Sequence, residues 1–283
     1  MAISITDPPE LPNVSDPSTF NDKAIALFSW MTGSFIADLE GITSEDIANE
    51  GRFMGVQRFT HTSGAATYTP TAGTKYAIVE MQAAGGGGGN GNSNGSGQVG
   101  AGSGGGAGNT IQVLLDVSAI GTATITHGAA GGGGSSSGAS GGTASDSSYT
   151  DGSTSFWVRG GAGGSGDENH TGPAIAAASL APSANFVTAG ANHVTTIKQL
   201  IGSLGEGGMC LGAQACRGGA GGDSLWGRGG RMTYRNSDGT SVGQTGSWYG
   251  GGGSGGASMG SQLNGANGGD GRPAFTIIYE FTA

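Results

Sequence analysis

Residues 84–108 read AGGGGGNGNSNGSGQVGAGSGGGAG, and tracts of this kind recur as far as Gly271. Of the 63 glycines in the chain, 57 follow Ala84. Ordering a glycine backbone costs roughly 0.5–1 kcal/mol more than ordering an alanine backbone, and glycine has no side chain whose burial offsets that cost. We therefore expect backbones packed so closely that no Cβ fits between them, with hydrogen bonds running from one tract to the next.

The glycine blocks predict a polyglycine II sandwich. They show no strict Gly-X-Y period, which excludes collagen. Polyglycine instead forms an open helix of about three residues per turn that has no internal hydrogen bonds, so its N–H and C=O groups bond to adjacent helices. The blocks lie at 85–89, 102–108, 128–134, 160–166, 218–222, 227–230, 250–256 and 265–271.

Apolar residues alternate with polar ones in the segments that flank these blocks, which is typical of strands. Strands are predicted within residues 56–84, 110–127, 155–159 and 274–281. The expected fold is mainly β and irregular: a small β-sandwich clamps the polyglycine II sandwich, and residues 51–283 form one glycine-rich head.

Residues 1–50 differ from the head in composition. Four prolines between residues 7 and 19 predict an extended arm, and apolar side chains at helical spacing then predict a short helix that ends at Gly33. An isolated helix of this length is marginally stable. Its apolar stripe is therefore predicted to serve attachment or oligomerisation through Phe20, Leu27, Phe28 and Met31.

Charge and hydropathy restrict the choice of partner. The formal net charge is −9, and residues 1–50 carry nine acidic residues against Lys23 alone. Because no basic stripe is present, nucleic acid is not an expected partner. No run approaches the roughly 18–20 apolar residues of a membrane span, and no signal peptide follows Met1. The chain is expected to be made in a cytoplasm and not secreted by the signal-peptide route.

The two cysteines, Cys210 and Cys216, leave two interpretations open. They close a small disulfide loop if the protein works outside cells, or they remain free thiols. A zinc site would need two more ligands nearby, and none is evident, so no metal is expected.

No pattern in the chain predicts catalysis or a cofactor. Its Gly-x-Gly-x-x-Gly matches lack a following helix. The four histidines are far apart, and the adjacent acids Asp167 and Glu168 are typical of an exposed loop. The sequence therefore predicts a non-enzymatic protein without a cofactor.

Several segments between the glycine blocks carry aromatic, methionine and arginine side chains. These residue types are enriched at the centres of protein interfaces. For the aromatic members, covering the edge of the glycine sandwich is the alternative interpretation. The candidate binding residues are His170, Met209, Trp226, Tyr234, Arg235, Trp248, Tyr249 and Met259.

Three segments of the chain, in this order, resemble the glycine-rich receptor-binding proteins of tailed-phage fibres. The opener is FTHTSGAATYTPTAGTKYAIVEMQAA at residues 59–84, and GNTIQVLLDV at 108–117 resembles a middle strand. The closer is GGDGRPAFTIIYEF at 268–281. The N-terminal segment LPNVSDPSTFNDKA at 11–24 is similar to the start of many tail-fibre proteins, where it attaches the fibre.

This resemblance, above all to the T-even-like fibre-tip adhesins, implies a virion protein at the tail fibre or tail tip that acts outside the cell. Its loops would bind an outer-membrane protein or a surface glycan of a bacterium. The N-terminal segment would bind a phage tail protein, and the fibre would be a homotrimer. The alternatives are a purely structural virion decoration or tail protein, and an ice-binding protein with a flat glycine face.

Overall fold

β-Strands, with glycine tracts between them, make up the protein. The computed structural model describes residues 51–60, 65–93, 95–136, 138–167, 169–179, 186–188, 194–260 and 262–282. These residues contain no α-helix, only a 3-10 turn at Gly212–Gln214, so the mainly β and irregular class is confirmed. Within them, no helix is long and apolar enough to cross a membrane. The predicted N-terminal helix, with Phe20, Leu27, Phe28 and Met31, lies outside the described residues.

The strands are numbered in chain order. They are β1 (Phe53–Thr60), β2 (Ala65–Tyr68), β3 (Tyr76–Gln82), β4 (Gly91–Ser93), β5 (Val99–Ala101), β6 (Thr110–Asp116), β7 (Ala123–Thr126), β8 (Ser147–Thr150), β9 (Ser155–Val158), β10 (Ala174–Ile175), β11 (Phe186–Thr188), β12 (Val194–Leu200), β13 (Met209–Cys210), β14 (Cys216–Gly218), β15 (Thr233–Arg235), β16 (Gly239–Ser241), β17 (Ala257–Met259), β18 (Gln262–Ala266) and β19 (Phe275–Phe281).

Two five-stranded antiparallel sheets pack as the predicted β-sandwich. The first has the strand order β1-β19-β3-β6-β12, and the second has the order β11-β9-β8-β7-β2. One face of each sheet is apolar because apolar residues alternate along the strands, as in β3, where Ala77, Val79 and Met81 are buried. Val79 and Met81 share one core with Tyr149 and Phe156 of the second sheet, whose rings stack at 4.9 Å. Each such buried side chain stabilises the fold by about 1.5–3 kcal/mol.

Three of these strands, β8, β11 and β12, lie outside the ranges that the sequence predicted as strands. Strand β8 lies within residues 135–154, and β11 and β12 lie within 167–203. Strand β8 contributes one large apolar side chain, that of Tyr149, and the described side chains of β12 are mostly exposed. Strands β8 and β12 are therefore held by backbone pairing with distant neighbours more than by an apolar face, and this pairing leaves little signal in the local sequence.

Residues 85–90 form the centre of the glycine lattice. Their successive N–H groups donate to three different neighbouring tracts, and the same tract is the acceptor at every third residue. This is the periodicity of a helix with about three residues per turn. The bonds run from Gly85 to Arg272, Gly86 to Gly106, Gly87 to Gly142, Gly88 to Gly269, Gly89 to Ser103 and Asn90 to Ala139.

The carbonyl groups of the same central tract accept hydrogen bonds from three further tracts. The donors also repeat every third residue: Gly131 and Gly134 bond to Gly85 and Gly88, Gly253 and Gly256 to Gly86 and Gly89, and Gly164 and Asp167 to Gly87 and Asn90. The three accepting tracts run antiparallel to residues 85–90, and the three donating tracts run parallel to them. The central tract thus has six neighbours and no free side.

The six neighbours also bond to one another and close a ring around residues 85–90. The bonds around the ring run from Gly102 to Gly256, Gly269 to Ser254, Gly268 to Gly134, Gly142 to Gly132, Gly141 to Gly164 and Ser103 to Ser165. Residues 250–256 are surrounded in the same way, by tracts that include 219–222, 228–230 and 244–247. This is the hexagonal packing of a polyglycine II sandwich.

Glycine is required at the centre of this lattice because of backbone contact. A Cβ on Gly87 would lie less than 3.0 Å from the carbonyl group of Gly132, and a Cβ on Gly253 would meet the carbonyl group of Gly269 in the same way. Real Cβ atoms do not approach backbone so closely, and a close-packed interior cannot yield without strain. The lattice is therefore as compact as backbone packing allows.

The lattice has two ends. At the end that we call the sandwich end, tracts continue directly into strands of the β-sandwich, as residues 85–90 do from β3 and residues 267–273 do into β19. At the opposite end, which we call the distal end, tracts are joined through smaller sheets with the orders β10-β13-β14-β15, β16-β17-β5 and β18-β4. The distal end has its own small core of Val99, Ala101, Cys210, Cys216, Ala257 and Met259.

Candidate functional site

The candidate binding residues divide between the two ends of the lattice. Trp226, Trp248 and Tyr249 lie in turns at the sandwich end, since Trp226 and Tyr249 both contact Phe275 at the start of β19. The remaining candidates belong to the connections at the distal end. One receptor therefore cannot be contacted by all of these residues through a single small surface. The candidates at the distal end are His170, Met209, Tyr234, Arg235 and Met259.

Two of the three aromatic residues at the sandwich end cover the sheet edge. Tyr249 stacks on Phe275 at 4.5 Å, and Trp226 meets the same ring edge-on at 5.8 Å. The indole N–H of Trp226 donates to Glu80 Oε1 at 2.7 Å. Trp248 is 76% exposed and has a φ of 54°. The contacts favour the covering interpretation for Trp226 and Tyr249 and leave Trp248 as an exposed turn residue.

A disulfide lies at the core of the distal end. Cys210 and Cys216 are directly paired across β13 and β14, and a bond joins them. Both cysteines are 1% exposed. Of the two open interpretations, the structure therefore has the disulfide. Because these residues face inward, their neighbours Met209 and Arg217 face the opposite side of the sheet.

The outer face of this four-stranded sheet carries one cross-strand row of side chains. Ile175 on β10 pairs with Met209 on β13, Met209 pairs with Arg217 on β14, and Arg217 pairs with Tyr234 on β15. Directly paired residues have their Cβ atoms about 4.5–5.5 Å apart, so the four side chains form a continuous strip. Ile175 is 78% exposed and Tyr234 is 57% exposed. We call these four residues the distal row.

Three predicted distal residues are placed outside this row. Met259 is 3% exposed within the distal core, so its assignment as a binding residue is corrected: its side chain packs beneath the surface. Arg235 pairs with the inward-facing Cys216, and its Nη2 donates to the carbonyl group of Asp238 at 2.8 Å. His170 is half-buried, and its Nε2 lies 2.8 Å from Asp167 Oδ1.

Sequence reasoning missed two members of the distal row, Ile175 and Arg217. Neither residue is aromatic, and the strand β10 that carries Ile175 has only two residues. The signal that was available is indirect: Arg217 follows Cys216, and a disulfide between adjacent strands fixes which neighbours share the other face. Met232, whose Sδ lies 3.9 Å from Arg217 Nη1, extends the exposed surface beside the row.

A cleft of about 510 Å³ also lies along the side of the lattice, between Glu206, Asp223, Arg228 and Arg231. Its charges are mixed and exposed, and the carboxylate of Asp223 already accepts a hydrogen bond from the N–H of Gly229 at 2.7 Å. The cleft does not unite any of the predicted binding residues.

Neither a protein-family model nor a curated protein matches the chain. Residues predicted to serve attachment, from Phe20 to Met31, lie outside the described part of the chain.

Removing the disulfide is expected to loosen the distal row without unfolding the lattice. In the double variant Cys210→Ala/Cys216→Ala, the hairpin β13–β14 loses a cross-link that is worth about 2 kcal/mol for a loop of this length. Amide hydrogen exchange at residues 209–217 should then become about 30-fold faster. Exchange at residues 85–90 should not change, because their bonds do not involve the hairpin.

Reduction of the wild-type protein serves as the matched control, since it breaks the same bond without changing any side chain. It should give the same exchange pattern as the double variant. Unchanged exchange at residues 209–217 in both samples would show that the disulfide does not hold the row in place.

Proposed function

We propose that this chain is a receptor-binding adhesin of a bacteriophage tail fibre or tail tip, and that it contacts the bacterial surface through the distal row. The observation that carries the proposal is the exposed strip of isoleucine, methionine, arginine and tyrosine on a rigidly held sheet. Tyrosine, arginine and methionine are enriched at the centres of protein interfaces, whereas most protein surfaces are richer in lysine, glutamate and serine.

The rigid base of the row supports binding in physical terms. A surface that is already ordered loses little conformational entropy when it binds, so more of the contact energy appears as affinity. The distal row meets this condition at its centre, because β13 and β14 are paired on both sides and are joined by the buried disulfide. Side chains of this kind on a fixed backbone are suited to repeated, specific contact with a cell surface.

The sequence resemblance supports the remaining parts of the proposal. The opener, middle strand and closer resemble those of glycine-rich fibre adhesins, and the N-terminal segment is similar to fibre attachment segments. We therefore propose a non-enzymatic virion protein that assembles as a homotrimer and binds a tail protein through residues 1–50. Its receptor is an outer-membrane protein or a surface glycan.

The test is binding of the full-length, fluorescently labelled chain to cells of a susceptible bacterium, measured by flow cytometry, with competition against phage adsorption. Wild-type protein should bind and should reduce adsorption. Tyr234→Ala should weaken binding by about 30-fold, since truncating a tyrosine that is an interface hot spot costs about 2 kcal/mol.

Trp248→Ala is the matched control, because Trp248 is also aromatic and exposed but lies at the sandwich end. It should bind like the wild type. If folded wild-type protein neither binds cells nor competes with phage, the chain is a structural decoration and the proposal fails. If Trp248→Ala loses binding while Tyr234→Ala retains it, the receptor surface lies at the sandwich end and not on the distal row.

A further inference from the structure

Arg217 occupies an unusual environment in the distal row. Its neighbours across the strands are Met209 and Tyr234, and its Nη1 lies 3.9 Å from the sulfur atom of Met232. The residue is half-buried, and its Nε is fully buried without a hydrogen-bond partner. Among the described residues, no oxygen atom accepts a hydrogen bond from this guanidinium.

Three other half-buried arginines have oxygen acceptors, although the Nε of Arg235 is buried without a partner, as that of Arg217 is. Arg159 pairs with the carboxylate of Asp146, Arg272 Nε donates to the carbonyl group of Gly246, and Arg235 donates to that of Asp238. Each of these guanidinium groups therefore has an oxygen acceptor within the chain. Arg217, in contrast, lies between Met209 and Tyr234 on the exposed face, and among the described residues the acceptor for its Nη1 is the sulfur atom of Met232.

An arginine in this environment is suited to binding an oxyanion. A guanidinium that has already lost part of its hydration regains strong, charge-assisted hydrogen bonds when a planar oxyanion meets its donor fork. Removing water from the two charged groups usually costs free energy when a buried ion pair forms. In the free protein, part of that cost has already been incurred at Arg217. An incoming carboxylate would therefore gain more at Arg217 than at a fully hydrated surface arginine.

The flanks of Arg217 indicate what carries the oxyanion. Ile175, Met209 and Met232 offer the many hydroxyls of a sugar at most weak thioether acceptors, but they fit apolar side chains well. We propose that Arg217 is the specificity-determining residue of the distal row, and that it binds the carboxylate of an aspartate or glutamate on a protein receptor, with apolar receptor residues packed on both sides. This inference rests on the proposed adhesin function.

The experiment compares full-length Arg217→Gln, Arg217→Lys and the control Arg231→Gln, which removes an exposed arginine outside the row. Binding to susceptible cells is measured at NaCl concentrations from about 50 to 300 mM, over which exposed charges become progressively screened. Arg217→Gln should lose about 30-fold in affinity and bind with a weaker salt dependence than the wild type. Arg217→Lys should recover only part of the affinity, because lysine retains the charge but not the fork.

Treatment of the cells tests the source of the oxyanion. Carbodiimide with a neutral amine converts surface carboxylates to amides and leaves phosphates charged, so it should reduce wild-type binding to the level of Arg217→Gln. Protease treatment of the cells should abolish binding, since the carboxylate belongs to a protein. If binding survives protease, or if inorganic phosphate competes while carbodiimide has no effect, the assignment of a protein carboxylate is overturned.

The variants separate this inference from the proposed function. If Tyr234→Ala loses binding while Arg217→Gln binds like the wild type, the row is the receptor surface but Arg217 does not determine specificity. If the wild type itself does not bind, the adhesin proposal fails first. Near-identical circular dichroism spectra for wild type and variants establish that a loss of binding does not reflect unfolding.

Discussion

Gly87→Ala should unfold the glycine lattice, at a cost of at least about 3 kcal/mol in the free energy of unfolding. The added methyl group would overlap the carbonyl group of Gly132. Neither backbone can retreat, because the N–H of Gly87 is bonded to Gly142 and its carbonyl group accepts from Gly164. Each hydrogen bond displaced by a shift would cost about 0.5–1.5 kcal/mol more.

The measurement is thermal or denaturant unfolding, with hydrogen exchange at residues 85–90 as a local readout. Gly121→Ala is the matched control, since a Cβ at that position meets nothing within 4 Å. It should change stability by less than about 0.5 kcal/mol. If Gly87→Ala has the same unfolding midpoint as Gly121→Ala and the wild type, close backbone packing does not make glycine necessary at residue 87.

Glu280→Ala should destabilise the β-sandwich by about 3 kcal/mol. Glu280 is 1% exposed, and its carboxylate accepts hydrogen bonds from four groups. These are the hydroxyl of Tyr68, the side-chain amide of Gln57, and the N–H and hydroxyl groups of Thr71. Alanine would leave these donors without their acceptor, and the turn that contains Thr71 would lose its anchor to β19.

Glu80→Ala is the control for this second variant. Glu80 is also a glutamate of the first sheet, but it is only half-buried and accepts hydrogen bonds from Gln112 and Trp226. Its removal should cost less than about 1 kcal/mol. Chemical denaturation of both variants checks the difference, and equal midpoints for the two would contradict a central role for the Glu280 network.

Burial, reinforced by the charge of Glu280, also raises the pKa of Tyr68 above its ordinary value. The folded state therefore holds this phenolic proton more tightly than the unfolded state. Its contribution to stability is complete below pH about 10 and decreases as the pH rises further.

The sequence predicted the parts of the fold that depend on local composition. Alternation in 76–82 and 275–281 indicated strands, and long glycine runs indicated close backbone packing. The most complete glycine surroundings occur at residues 85–90 and 250–256, which contain the uninterrupted runs Gly85–Gly89 and Gly250–Gly253. The arrangement of tracts in the lattice was not predictable. Backbone hydrogen bonds fix the distance between two polyglycine tracts, but they do not determine which tracts become neighbours.

The candidate site was predicted only in part, for a related reason. Met209 and Tyr234 were identified by residue type. They lie in one row because the strand register pairs both of them with Arg217. Met259 has the same chemistry as Met209 but packs into the distal core. Residue type alone does not distinguish the two faces of a strand, and a register shift by one residue exchanges them.

The ring around residues 85–90 has a consequence for how the molecule forms. Its members extend along the chain from Gly102 to Arg272, so the ring cannot close while the ribosome is still synthesising the last of them. Assembly must therefore await nearly the whole polypeptide, and topologies with such distant pairings form slowly. The reverse process requires many mutually dependent bonds to break together, so the lattice should unfold slowly once it has formed.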